Sequence, residues 1–347
     1  MALFSRKTAE TTPLNGIAVV LADLDGVVYT GPRAIPHAVE SLNRAAESTR
    51  VGYITNNASR TDAQVAQHLR DLGLQLETAD VVTSPQAAMG LLRDLAPAGS
   101  TILVIGGEGL THEVTKAGFA VTDSALDNPS AVIQGFSPEL GWRNLAEAAF
   151  ALNARPDGYP DGIPWIATNM DWTIPVERGV APGNGTLVSA VHLATGRLPV
   201  VAGKPELPIF DEAKRRFNTA QALFIGDRLD TDIQGAVSAG IASALVLTGI
   251  DGAKQLLAAP VGSRPDFILG DLRELHEPYP AVIVDKRGGV TVRDACVSLA
   301  PAAGGMTDLV IESAGESELD LLRASCAAIW NSGKAIFGFN VPEHLYI

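Results

Sequence analysis

Asp23 and Asp25 stand two residues apart at the end of an apolar run, in LADLDGVVYTG, and Gly26 follows them to let the chain turn. Carboxylates held that close repel one another and need a cation or a shared proton to coexist. A second acidic cluster closes ALFIGDRLDTDIQGA, where Asp227, Asp230 and Asp232 crowd one loop after another apolar run. Such crowding suits a hard, oxygen-liganded cation such as Mg2+. Two further segments between these carry groups that could hold an anion. VGYITNNASR offers Thr55, Asn56 and Asn57, hydroxyl and amide donors at a strand-to-helix junction. VVAGKPELPIF offers Lys204, whose following proline biases it toward an extended backbone. Each string has a plainer reading as well. Asp-Gly is a turn dipeptide, Thr and Asn cap helices, a lone Lys is commonly solvated, and acidic residues decorate capping loops. What links the four is their order, each behind an apolar run.

Those runs predict the elements that must position the polar groups. Gly16–Ala22, Val51–Ile54, Thr101–Ile105, Ala131–Ile133, Trp165–Ala167, Ala222–Ile225 and Ala242–Leu247 are short, apolar and rich in β-branched residues, as buried parallel strands are. His37–Ser48 and Thr61–Leu72 predict helices between them, the second with Thr61 as N-cap. Alternation of this kind gives an α/β fold with mostly parallel sheets. Right-handed crossovers then bring the loops after the strands to one edge, where ligands bind. Near Leu275 the prolines of HEPYP break the pattern. Beyond it, AVIVDKRGGVTVRDACVSLA predicts a hairpin turning at Gly288–Gly289, and Ser317–Trp330 an amphipathic helix. Residues 276–347 are therefore expected to form a small α+β appendage with a packing or oligomerisation role.

Composition narrows the class. Hydrophobic residues are 46% of the 347 and charged ones 19%, which provides a core and excludes a largely disordered chain. The net charge of −13 argues against nucleic acid as partner, and a small anion would need a local cation such as Lys204. Cys296 and Cys326 have no metal-type spacing and read as reduced thiols. MALFSRKTAETTPLNG lacks an apolar leader segment, and Gly16–Ala22 is too short to span a membrane. A cytoplasmic protein with no membrane partner is expected.

Asp-x-Asp-Gly-Val, Thr-Asn, Gly-Lys-Pro and Gly-Asp-x-x-x-Thr-Asp, in that order, resemble the haloacid dehalogenase superfamily. The strings DLDGVVY, YITNNASRT, ATNMDWTIP, APGNGTLVSAV, GKPE and GDRLDTDI are similar to its NagD and phosphoglycolate/glycerol-3-phosphate phosphatase branch, over residues 15–275. The resemblance implies a Rossmann-like core from 1–82 and 194–275, with an inserted α/β cap at 83–193 that governs substrate choice. It implies a Mg2+-dependent phosphate-monoester hydrolase in which Asp23 is the nucleophile and Asp25 the general acid and base. Thr55 and Lys204 complete the catalytic set. Mg2+ is implied at Asp23, the Asp25 carbonyl and Asp227, with Asp232 acting through water. Thr55, Asn56, Asn57 and Lys204 are then expected on the phosphoryl oxygens. Phe136, Ser137, Asn169, Met170 and Asp171 are expected on the organic part, beside a loop at Gly183–Gly185. Met170 and Trp172 stand where the branch usually carries polar groups, and Gln134–Pro138 departs from its Gly-Phe-Asp, so substrate identity is what these sites bear on. APGNGT and GDRLDTDI favour glycerol 3-phosphate, with 2-phosphoglycolate, a nucleotide or pyridoxal phosphate as alternatives. A small phosphorylated metabolite is the expected partner, and a homo-oligomer would form through the cap or the appendage.

Other classes fit less well. IGGEGL has glycines at 106, 107 and 109 but none at the third position of a dinucleotide fingerprint. A non-catalytic binding or regulatory protein is disfavoured because every catalytic position is filled. The hairpin and helix after 276 are similar to a fragment of acyltransferase-like folds, yet the coenzyme A pyrophosphate loop is absent.

Overall fold

The computed structural model describes residues 11–154, 158–159, 161–176 and 178–346. Most of MALFSRKTAETTPLNG therefore lies outside the described residues. The chain forms two compact units, one from the described parts of Met1–Thr30, Ala34–Arg50 and Gln221–Ile347, the other from Gly31–Arg33 and Val51–Ala220.

In the first unit, Val19–Ala22, Ala222–Gly226, Ala242–Val246 and Phe267–Leu269 lie side by side, all parallel. The register pairs Ala22 with Ile225, and the ladder runs one step further through Asp23 N–H donating to Ile225 O at 2.8 Å. The chain thus releases Asp23 and Asp227 at the same sheet edge. Almost every residue of these strands is buried, which is why they read as continuous apolar runs rather than alternating ones.

The C-terminal segment builds a second sheet in the same unit. Val282–Val284, Val290–Val292, Ala295–Pro301 and Thr307–Ser313 pair antiparallel in sequence order, and Phe339–Asn340 adds a short parallel edge. The expected hairpin is present. Asp285 Oδ1 accepts from Arg287 N and Gly289 N, and Gly288 takes φ +85° in the turn. The helix Glu318–Asn331 starts at Ser317, whose hydroxyl accepts from Asp320 N.

This segment is not a loosely attached module. Leu321, Leu322, Cys326 and Ile329 of the helix share one continuous apolar core with Leu245, Leu256 and Ile268 of the parallel-sheet part. Arg323 locks the junction. Its guanidinium donates to Ile268 O (3.0 and 2.6 Å), Asp320 Oδ1 (2.7 Å) and Glu274 Oε2 (3.0 Å), and its plane stacks 4.8 Å from the Tyr279 ring. Burial pushes the Cys326 thiol well above its ordinary pKa, so this cysteine behaves as a small apolar group.

In the second unit, Tyr53, Ile54 and Thr55 at the end of the strand Arg50–Thr55 pair with Val81–Thr83. A separate all-parallel sheet orders Val200–Val201, Trp165–Ala167, Ala131–Gln134, Thr101–Ile105 and Ala120–Thr122. Helices Trp142–Asn153 and Asn184–Thr195 cover the face bearing Leu103, Val132 and Trp165. Thr61 caps Asp62–Asp71 as the sequence predicts, in a reciprocal box with Gln64. Ladder bonds from Gly135 N to Ile105 O, Thr168 N to Gln134 O and Ala202 N to Ala167 O carry three chain segments out at one edge. Among the described residues no helix is long and apolar enough to cross a membrane.

Because the helix Glu318–Asn331 completes the core of the first unit, deleting residues 276–347 should give an insoluble or molten chain. A soluble 1–275 fragment with a cooperative thermal transition would contradict this. Arg323→Ala, which removes the bonds to Ile268 O and leaves the buried Asp320 carboxylate to Arg293 alone, should lower stability by about 3 kcal/mol in urea titration.

Candidate active site

In the first unit, carboxylate oxygens of Asp23, Asp227 and Asp232 all lie within 4.8 Å of one another, and none of the three residues is more than 8% exposed. Buried charges of like sign at that spacing destabilise the fold unless a cation joins them, and an all-oxygen donor set selects a hard one. The local backbone is shaped for this convergence. Gly26 has φ +82°, and a Cβ there would stand 2.2 Å from Asp227 Oδ2. After Asp227 the chain makes a single π-helical turn over Leu229–Ile233, with Ile233 N bonded to Arg228 O. That turn swings Asp232 back, so that its Oδ2 accepts from Asp227 N and Arg228 N, both at 3.2 Å.

The two remaining carboxylates of the acidic strings behave differently. Asp25 is exposed, at a turn closed by Gly26 N donating to Tyr29 O at 2.9 Å. Asp230 leaves the cluster and forms an exposed pair with Arg228, 2.8 Å apart. The crowding of Asp227, Asp230 and Asp232 in sequence is therefore resolved in space, two inward and one outward.

A second group of predicted residues meets in the other unit. Thr55, Asn56, Lys204 and Asn169 are all buried. Asn56 Oδ1 accepts from Lys204 N (2.8 Å), while its Nδ2 donates to Lys204 O and to Asp171 Oδ1, both at 3.1 Å. The side-chain amide thus pairs with the Lys204 main chain as one peptide pairs with another. Asn56 O in turn accepts from Ser84 Oγ and Asn169 Nδ2, both at 2.7 Å. The Thr55 hydroxyl accepts from Asn57 N, which leaves its proton available to a ligand. Asn57 is committed locally, its Oδ1 accepting from Ser59 N and Ser59 Oγ.

Asn169, Met170 and Asp171 are clasped by the Gly183–Gly185 segment. Gly185 N donates to Asp171 O, Gly183 N to Trp172 O, and Asn184 Nδ2 to Asn169 O. Phe136 and Ser137 are half-buried, and Ser137 Oγ accepts from Glu139 N. The glycines of IGGEGL serve packing. A Cβ on Gly109 would lie 2.4 Å from Arg60 O, so the string lets one segment pass close to another.

Sequence reading missed the Asn56 side chain as a brace for Lys204, and it missed Ser84. It also passed over Thr248–Asp251, which contact the carboxylate group. There, Asp251 is half-buried and its carboxyl is pushed up, first by burial and further by Asp230 and Asp232, while the Leu229 amide and Arg228 act in the opposite direction. Thr248-Gly249, one residue past the strand Ala242–Val246, is the same signature that marked the other strings.

Residues 20–120 match the haloacid dehalogenase-like hydrolase family model and 201–275 the HAD-hydrolase-like model. D-glycerol 3-phosphate phosphatase of Mycobacterium tuberculosis is 41% identical over 325 residues, covering 91% of this chain and 86% of that enzyme. The chain belongs to the haloacid dehalogenase-like hydrolases. It is a phosphatase of that family. An acid sugar phosphatase of Staphylococcus haemolyticus is 33% identical over 66% of this chain and 85% of its own. Among solved structures, the M. tuberculosis glycerol phosphate phosphatase in complex with magnesium matches with TM-score 0.81 and 36% identity, covering 95% of both chains. The p-nitrophenyl phosphatase of Archaeoglobus fulgidus matches with TM-score 0.67 and 26% identity, covering 98% of that chain but 75% of this one. The haloacid dehalogenase-like fold with a C-terminal extension is thus shared along its length with the mycobacterial enzyme.

Asn56→Ala removes both halves of the brace on Lys204. It should cost about 1–3 kcal/mol of stability through the exposed peptide groups and lower kcat/KM by about a hundredfold through misplacement of the lysine. Denaturation together with phosphate-release kinetics checks both, and unchanged kinetics would deny Lys204 its role.

Proposed function

We propose that this phosphatase hydrolyses glycerol 3-phosphate with Mg2+ through a phosphorylated Asp23. The observation that carries the chemistry is the convergence of Asp23, Asp227 and Asp232 within 4.8 Å inside the first unit. The substrate reading rests on likeness along nearly the whole chain to the D-glycerol 3-phosphate phosphatase of M. tuberculosis.

An Asp23 carboxylate oxygen attacks phosphorus, and the bond from phosphorus to the alkoxy oxygen breaks. Asp25, exposed beside Gly26, gives its proton to the leaving oxygen and then takes one from the water that attacks the phosphoenzyme. Inorganic phosphate leaves and Asp23 is restored. When held by Asp23, the Asp25 carbonyl and Asp227, with Asp232 behind them through water, Mg2+ supplies positive charge against the phosphoryl oxygens. Lys204 neutralises a further oxygen, while the Thr55 hydroxyl and the Asn56 N–H donate to the others. Asn57 offers its side-chain Nδ2, since its backbone N–H is given to Thr55 and its Oδ1 is held by Ser59.

The segment 83–193 serves as a cap over a core of 1–82 and 194–275, with Phe136, Ser137, Asn169, Met170 and Asp171 as its contacts to the glycerol moiety. A cytoplasmic setting and a small phosphorylated metabolite as partner, with no nucleic acid and no membrane, fit the acidic composition. Self-association through cap or C-terminal sheet belongs to the same reading.

Asp23→Asn should lower turnover at least about a thousandfold while leaving the thermal transition in place. Near-wild-type phosphate release would sink the nucleophile assignment. Across glycerol 3-phosphate, 2-phosphoglycolate, a nucleotide and pyridoxal phosphate, the first should show the highest kcat/KM. Another winner would retire the substrate and keep the chemistry.

A further inference from the structure

The loop Thr248–Asp251, to which nothing above assigns a part in the reaction, touches both carboxylate-bearing loops of the first unit. Thr248 Oγ1 donates to Gly26 O at 2.7 Å. Ile250 N donates to Asp227 Oδ2 at 2.8 Å, and Asp251 N to Asp227 O at 3.1 Å. Asp251 Oδ2 accepts from Leu229 N at 2.6 Å, at the start of the π-helical turn that carries Asp232. Three of these four consecutive residues thus supply four bonds. One fixes the backbone directly after Asp25, two fix Asp227, and one fixes the turn that delivers Asp232.

Gly249 sits at the centre of this contact. A Cβ built there would lie 2.0 Å from Asp227 Oδ2 and 2.4 Å from Asp227 Cγ, closer than any non-bonded carbon can come. Its φ is outside the positive range, so a side chain at 249 would be excluded by the carboxylate and not by the backbone. An amide bonded to one carboxylate oxygen sets the rotation of the group, and a glycine against that oxygen permits the approach.

We infer that Thr248–Asp251 is a positioning bracket that presets Asp227 and the Asp25–Gly26 turn for the cation, so that metal affinity depends on residues that do not ligate the metal. This rests on the Mg2+ reading above and deepens it. The bracket acts before any substrate arrives, because every bond in it is internal to one unit.

The test is calorimetric titration of the metal-free enzyme with Mg2+ alone, with no substrate present. Gly249→Ala should bind Mg2+ about 10–100-fold more weakly, and its thermal transition in EDTA should fall, since the new Cβ displaces the buried Asp227. Thr248→Val, which keeps shape and loses the bond to Gly26 O, should weaken Mg2+ by about threefold to tenfold, and Thr248→Ser should restore it. Equal Mg2+ affinity in wild type and Gly249→Ala overturns the bracket. Should Gly249→Ala fail to fold, the Val and Ser variants at 248 decide alone, and indistinguishable Mg2+ affinity between them overturns it. A wild-type enzyme that takes up no Mg2+ would overturn the metal reading itself, a different result from a wild type that binds and variants that bind equally well.

Discussion

Three carboxylates held within 4.8 Å and shut away from water are a strain on any fold, and much of the first unit is arranged around it. The register that pairs Ala22 with Ile225 sends Asp23 and Asp227 to one edge. The glycine at 26 lets backbone pass where a side chain would strike Asp227. The π-helical turn brings Asp232 back toward the strand end it has just left. Each of these features stabilises little by itself. Together they hold repelling groups in a geometry whose repulsion a cation would relieve. The destabilisation in the metal-free chain and the affinity for metal are two sides of one quantity.

In the other unit the constraint is of a different kind. Lys204 is 4% exposed, and its own main chain is paired with a side-chain amide instead of with a neighbouring strand. Asn56 fits this task because its amide presents a donor and an acceptor with the spacing of a peptide group. The same residue's carbonyl receives Ser84 and Asn169, so one asparagine joins the strand end, the lysine and the Asn169–Asp171 segment. Aspartate there would lose two donated bonds, and leucine all of them.

How much of this could be read from residues alone depends on the range of the interaction. The strands were legible because burial on both faces leaves a continuous apolar run. Thr61 was legible because a cap is a matter of three residues. The hairpin at Gly288–Gly289 was legible for the same local reason. Asp23, Asp227 and Asp232 stood out because acidic residues behind apolar strands are unusual, although composition alone could not tell that Asp230 turns outward to Arg228. The Asn56 brace spans 148 residues of sequence and leaves no periodic trace. Thr248–Asp251 was overlooked although it carries the same strand-then-polar signature, because it lacks a run of charges to draw attention. The shared core of the C-terminal helix was missed since an amphipathic face does not say what it will cover.

That shared core also bears on how the protein is made. Leu245, Leu256 and Ile268 are synthesised well before Leu321, Leu322 and Ile329, the side chains that cover them. During translation the parallel strands therefore wait with one apolar face open until the last helix has left the ribosome. The buried carboxylates of Asp23, Asp227 and Asp232 precede that helix in the chain, so a nascent chain carries the whole cluster before it has the means to stay folded.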